Sequence, residues 1–305
     1  MDAGQVSAAT REMVAGKTAR FVLFGSGTAL TDSWTNGLKK GFEQAGMKFE
    51  LVESNLDPTL YTQQLETAIN DKVDVLVTAN FDVSSSADLL QKAQDAGIYT
   101  ILLGIGSVQQ TDAFVGPDWI EMSKLLAGRV ANDCKAAGKT DVALLLGFGT
   151  DAGTVLAEQG FKEVFDQQGI DIVSSQPAQY DPNKAREITA TLLQQHPDLC
   201  AVVGTLDTMM FGAAEAVRQA GKTGDVLVYT TDSSSAACDA IKSGDMTAIV
   251  NYGVPDTGPI IVAVTKFLLQ SGLKPGANRT ALFTPMTIID KTNVDDPSAC
   301  YSGQL

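Results

Sequence analysis

Three carboxylates, Asp32, Asp207 and Asp232, and three aromatic rings, Trp34, Tyr180 and Tyr252, sit just beyond apolar runs that read as strands. A carboxylate accepts hydrogen bonds from two adjacent hydroxyls, and an aromatic ring covers the apolar C–H face of a sugar. Gathered in one place, these six side chains suit recognition of a small polyhydroxylated solute. An aspartate just after a strand can equally serve as a helix N-cap, so each carboxylate also has a structural use open to it.

Other chemistry has little support. The lone histidine, His196, precedes a strand and so lies on the edge of the sheet away from the carboxyl ends. It is expected to end a helix near the surface, which leaves Ser-His-Asp or Cys-His catalysis without its base. No cysteine pair has C-x-x-C spacing, so no metal site is expected. No G-x-x-x-x-G-K-[ST] loop occurs. Gly147-x-Gly149-x-x-Ala152 meets a relaxed dinucleotide fingerprint, and Gly25-x-Gly27-x-x-Leu30 half meets it. The acidic residue that should end the following strand is missing there, where Gln176 and Pro177 stand, and Asp166 and Asp171 are misplaced for it. No enzyme, catalytic residue or cofactor is expected.

The elements that would carry these residues alternate. Short apolar runs at Arg20 to Phe24, Lys48 to Val52, Val73 to Thr78 and Ile98 to Leu103 are separated by helical stretches through Trp34 to Phe42, Pro58 to Asn70 and Ser84 to Ala96. That order predicts a parallel sheet covered on both faces. The second half repeats the first: Gly160-Phe161-Lys162-Glu163 answers Gly41-Phe42-Glu43-Gln44, Asp181-Pro182 answers Asp57-Pro58, Ala201-Val202-Val203 answers Val75-Leu76-Val77, and Asp207 answers Asp82. Further strands are expected over Val226 to Thr231, Met246 to Asn251 and Met286 to Asp290, with helices over Ser233 to Ser243 and Gly258 to Ser271. The expectation is an α/β protein of two similar, doubly wound parallel-sheet lobes. Ligands bind such sheets at the carboxyl ends of the strands.

The chain has 305 residues, enough for two domains, and a formal net charge of −14, which disfavours nucleic acid as a partner. Its longest apolar stretches, such as Pro259 to Leu269, fall short of a bilayer span. The four cysteines, Cys134, Cys200, Cys238 and Cys300, are even in number and widely spaced, which suits an oxidising compartment; three pairings are open. Met1-Asp2-Ala3-Gly4 is polar and has no signal-peptide character, so a mature chain whose signal sequence has been removed is expected.

Three stretches are characteristic: Ser175-Gln176-Pro177-Ala178-Gln179-Tyr180-Asp181, His196-Pro197-Asp198 followed by Ala201-Val202-Val203, and Ala240-Ile241-Lys242-Ser243-Gly244. With the duplication, they resemble the type I periplasmic binding proteins of the ribose-binding kind over essentially Arg20 to Asp290. The resemblance implies two lobes joined by three crossover segments, near Val115 to Asp118, Asn251 to Pro255 and Phe283 to Met286. Residues 1-116 with 254-284 would form one lobe, and 117-253 with 285-305 the other. All four cysteines would then fall in the second lobe, implying one or two disulfides within it. The resemblance also makes Asp32, Trp34, Asn80, Tyr180, Asp232 and Tyr252 or Gly253 ligand contacts, to which Asp207 is added from its place after a strand.

The departures narrow the solute. Where family members carry an Asp-Arg pair after the fourth strand, this chain has Gly104-Ile105; a second arginine is replaced near Val155, and an asparagine by Leu206. Several carboxylates without arginine would bury an anionic ligand against like charge, at a cost of several kcal/mol. A sugar, sugar alcohol or amino sugar is therefore expected. The implied role is the substrate-binding component of an ABC importer, closing on its solute by hinge motion and presenting it to permease transmembrane subunits. A periplasmic or extracellular, membrane-associated location and a monomer go with it. A ligand sensor for a chemoreceptor or histidine kinase is the alternative, and a nucleotide-dependent enzyme a more remote one.

Overall fold

The computed structural model describes Ala8, residues 11–80 and residues 82–302; Met1 to Gly4 and Phe81 lie outside the described residues. The chain divides into two compact units. One comprises the chain up to Gly116 together with Gly253–Thr284, the other Pro117–Tyr252 with Pro285–Ser302. The polypeptide thus passes from one unit to the other three times, each time beside a glycine, a proline or both.

In the first unit, strands β1 (Thr18–Leu23), β2 (Lys48–Glu53), β3 (Val75–Thr78), β4 (Tyr99–Leu103), β5 (Ala113–Gly116) and β11 (Thr280–Phe283) form one sheet in the order β11-β5-β4-β3-β1-β2. Every pairing in it is parallel. Helices α1 (Ala29–Gln44), α2 (Pro58–Asn70), α3 (Ala87–Asp95) and α9 (Val254–Ser271) belong to the same unit. The inner strands β1 and β3 are buried along almost their whole length and, Thr18, Arg20 and Thr78 apart, are apolar, as a sheet covered on both faces requires.

The second unit repeats the plan. Strands β6 (Asp141–Leu146), β7 (Asp171–Pro177), β8 (Ala201–Gly204), β9 (Leu227–Thr231), β10 (Ala248–Asn251) and β12 (Thr287–Asp290) are ordered β12-β10-β9-β8-β6-β7, the same order with each strand replaced by its counterpart. Only the last strand differs, β12 running antiparallel to β10. Helices α4 (Trp119–Ala136), α5 (Ala152–Gln168), α6 (Pro182–Gln195), α7 (Asp207–Gln219) and α8 (Ser235–Ser243) complete the unit. The repeated Asp-Pro pair has one local cause. Asp57 and Asp181 each cap a helix, accepting from Thr59 and Leu60 N–H and from Asn183 and Lys184 N–H, with proline in the first turn where it lacks no needed donor.

Three elements lie outside those expected from periodicity: β5, α4 and β11. Strand β11 is an edge strand of four residues with alternating exposure, too short and too mixed to stand out. Helix α9 begins at Val254 rather than Gly258, because Pro255 occupies its first turn and does not interrupt it. Strand and helix ends elsewhere shift by a few residues in either direction: β1 starts at Thr18 rather than Arg20 and β2 ends at Glu53 rather than Val52, whereas α3 runs Ala87–Asp95 rather than Ser84 to Ala96. His196 ends α6 as expected.

All four cysteines fall in the second unit and pair Cys134–Cys200 and Cys238–Cys300, across 66 and 62 residues of chain. Closing loops of that length stabilises the folded state by about 4 kcal/mol each in the chain-entropy account.

Helices α6 and α7 meet at Gly212, where an added Cβ would stand 1.7 Å from the carbonyl oxygen of Pro182. Gly212→Ala is therefore expected to destabilise the second unit by about 3 kcal/mol or more, seen as a lowered melting temperature by circular dichroism. Gly128→Ala, with open space around its Cβ, should stay near wild type.

Candidate functional site

The carboxyl ends of β8 and β9 gather the second unit's polar groups. Asp232 follows β9 with φ 83°, a conformation that costs a non-glycine residue energy. Its counterpart in the first unit, the residue just after β4, is Gly104 with φ 72°. The duplicated backbone is the same, so a carboxylate has been placed where glycine would fit without strain. Asp232 is only 1% exposed. Its Oδ1 accepts from the Tyr301 hydroxyl and from Ser233 N–H at 3.0 Å, whereas its buried Oδ2 makes no well-aligned hydrogen bond to any described residue. Burial, then the charge of Asp207, pushes its pKa well above the ordinary carboxylate range.

Asp207 opens α7 and is buried. It accepts from Thr208 N–H at 2.6 Å, from Ser234 N–H at 3.1 Å and from the Ser234 hydroxyl. Both of its oxygens are thus engaged, and burial raises its pKa as well. It braces the loop beyond β9. Tyr252, after β10, is buried with its ring centroid 6.3 Å from that of Trp119, and burial followed by the charges of Asp232 and Asp207 raises its pKa.

Tyr180 follows β7 and is half-buried. Its hydroxyl donates to Asp151, the N-cap of α5, and Phe148 meets its ring edge-on at 5.7 Å. Gly147 makes room for it: a Cβ there would lie 2.2 Å from the tyrosine ring. The space beside this glycine is therefore filled by the protein's own phenol, with the buried Asp151 carboxylate at the helix N-terminus. A pyrophosphate would meet like charge there, which removes the dinucleotide reading of Gly147-x-Gly149. The positive φ at Gln179 and Tyr180 is matched by Asn55 and Leu56 before the other Asp-Pro pair, so that strain belongs to the duplicated turn.

In the first unit, Trp34 lies in α1, 4% exposed, with its ring packed against Gly104 and its Nε1 without a hydrogen-bond partner among the described residues. Asp32, one turn into the same helix, is exposed, the N-cap being Thr28. Asn80 is buried and already employed: its Oδ1 accepts from Tyr61 and Ser86 hydroxyls, each at 2.9 Å, and its Nδ2 donates to Gly106 O at 3.1 Å.

Within the second unit the fold thus brings Tyr180, Asp207, Asp232 and Tyr252 to one end of the sheet; Asp32, Trp34 and Asn80 occupy the first. Sequence reasoning did not single out Asp151, Phe148, Trp119 or Tyr301. Asp151 had a signal, an acidic residue at the helix start after β6, whereas nothing local to Tyr301 points to Asp232, 69 residues away. Among the described residues no ion pair reaches Asp151, Asp207 or Asp232, no group of residues could hold a metal ion, and no helix is long and apolar enough to cross a membrane.

Residues 19–274 match the family model described as periplasmic binding protein domain. The D-ribose/D-allose-binding protein of Pseudomonas aeruginosa is 30% identical over 224 residues, 70% of each chain. Among solved structures, a periplasmic ribose ABC transporter protein from Conexibacter woesei is 26% identical with a TM-score of 0.82, covering 92% of this chain and 94% of that one. An ABC transporter solute-binding protein from Bacillus halodurans, crystallised with myo-inositol, has a TM-score of 0.85 at 23% identity over 94% and 99% of the two chains, a likeness of fold.

A carboxyl whose folded-state pKa is raised binds its proton more tightly in the folded than in the unfolded chain. Its stabilising contribution is complete below the unfolded carboxylate range and is lost as pH rises through the folded-state value. Asp232→Asn, which removes the ionising group but keeps an acceptor for Tyr301, should therefore melt above wild type at pH 8 and close to it at pH 4. A thermal melt series across pH checks this.

Proposed function

The chain belongs to the periplasmic binding protein family, type I, and from that premise we propose that its solute is a small hydroxyl-rich molecule without negative charge. It is a solute-binding protein and not an enzyme, serves sugar import by an ABC transporter, and works in the periplasm or outside the cell. The single observation that carries the choice of solute is Asp232, a buried carboxylate placed where the other unit has glycine, with one oxygen left without an aligned partner.

A ligand with adjacent hydroxyls supplies the donors that this oxygen lacks. The aromatic groups follow the same logic. Trp34 in the first unit, and Tyr180 and Tyr252 in the second, offer ring surface to C–H faces, and the Trp34 N–H offers a donor to a sugar oxygen. Asp32 is proposed as a further contact from the first unit. Asn80 and Asp207, whose polar atoms are held by their own loops, are proposed to shape the site and to touch the solute only at its margin. Relatives bind D-ribose and D-allose, and a neighbour in fold was crystallised with myo-inositol. Sugars, sugar alcohols and amino sugars are accordingly the classes proposed here, while a sugar acid would be buried against Asp151, Asp207 and Asp232 with no cation beside them. The proposed partners are the permease transmembrane subunits, with the protein itself a monomer.

A thermal-shift screen against D-ribose, D-allose, myo-inositol, linear polyols, amino sugars and hexuronates tests this. One neutral or cationic class should raise the melting temperature, a ligand at 100 times its Kd stabilising by about 2.7 kcal/mol. Asp232→Ala should weaken binding of the responding compound roughly tenfold or more by calorimetry, as loss of a buried hydrogen-bonding carboxyl does. Tight binding of a hexuronate alone, or no response to any member, would overturn the proposal.

A further inference from the structure

The most unusual support of Asp232 comes from the far end of the chain. Residues 291–302, after β12, contain no helix or strand beyond a single bridge between Ser234 and Tyr301. Tyr301 is nevertheless buried and bound at three points to the loop that bears Asp232. Its N–H donates to Ser233 O at 3.0 Å, its carbonyl accepts from Ser235 N–H at 2.7 Å, and its hydroxyl donates to Asp232 Oδ1. Next to it, Cys300 is covalently joined to Cys238 in α8, and Asn251 Nδ2 donates to the Ser298 and Ala299 carbonyls at 3.0 and 3.1 Å.

These contacts have a directional effect. A carboxylate with both oxygens free rotates and hydrates on both sides. With Oδ1 taken by Tyr301 and Ser233, rotation is stopped; Oδ2, which has no aligned partner among the described residues although the Tyr252 hydroxyl lies near the carboxylate, is the atom left for a ligand. A segment without regular structure is mobile unless it is tied down, and here the tie is the disulfide one residue away. From this arrangement we infer that Tyr301 is a positioning residue for solute binding, aiming Asp232 Oδ2, and that the Cys238–Cys300 disulfide holds it in place. The inference rests on the reading of Asp232 as a ligand contact, while the positioning itself is a property of the unliganded protein.

Two readouts keep those apart. In the unliganded full chain, the Tyr301 hydroxyl proton should appear by NMR as a slowly exchanging, downfield resonance. It should vanish in Tyr301→Phe and in Cys238→Ala/Cys300→Ala, with the amide signals of β8 and β9 unchanged. The same two variants should bind D-ribose or myo-inositol, whichever shifts the wild type, roughly ten- to hundredfold more weakly. Cys134→Ala/Cys200→Ala, which removes the other disulfide, should lower the melting temperature yet keep the resonance and the affinity. The inference is overturned if the resonance is absent in wild type, if it survives loss of Cys238–Cys300, or if Tyr301→Phe binds like wild type. Where no sugar or polyol binds wild type, the proposed solute class fails, and the resonance alone still decides whether the disulfide positions Tyr301.

Discussion

A buried carboxylate must either find partners or give up its charge, and Asp232 organises its unit around that requirement. No cation is brought to it among the described residues. Its neighbours are instead two phenols, Tyr301 and Tyr252, a backbone N–H and a second buried carboxyl that is itself fully hydrogen-bonded. The raised pKa and the unmatched oxygen are two aspects of one unrelieved desolvation, and the left-handed backbone adds a conformational strain of its own. Natural chains keep such a deficit where another molecule relieves it, and perturbed carboxyls cluster at functional sites for that reason.

The duplication supplies an internal control for this argument. The two sheets share strand order, and the turns before Asp57-Pro58 and Asp181-Pro182 share two consecutive left-handed residues. Within that common frame the side chains diverge at particular places. Leu56 packs toward Gly25 as Tyr180 packs toward Gly147, so one turn serves an aliphatic contact in the first unit and a hydrogen-bonded phenol in the second. Gly104 admits the Trp34 ring, whereas Asp232 at the equivalent point presents a carboxylate. The frame accounts for the fold, and the substitutions upon it account for the chemistry.

Much of the architecture was legible because its determinants are local. Asp-Pro caps, glycines after strands and apolar runs of four to six residues are set by neighbours in sequence, and the repeat doubled their signal. The strand-end aspartates could be found but not ranked, since an N-cap and a ligand contact look alike from sequence; burial and hydrogen-bond geometry separated Asp207, which is satisfied, from Asp232, which is not. Strand β11, the choice among three disulfide pairings and the meeting of Tyr301 with Asp232 depend on contacts between distant segments. No local pattern encodes those.

The three passages of the chain between units bear on how the protein comes into being. Strand β11, which completes the first sheet, and α9, which packs on α1, lie after nearly the whole of the second unit. During synthesis the first unit therefore waits with an open sheet edge until residue 284 has emerged, and the second waits still longer for β12 and Tyr301. Neither can be cut out by a single truncation without losing an edge strand. Each sheet is closed by a strand that lies far along the chain from the rest of it, so each unit stays unfinished, with an unpaired strand edge, until the later passages have been made.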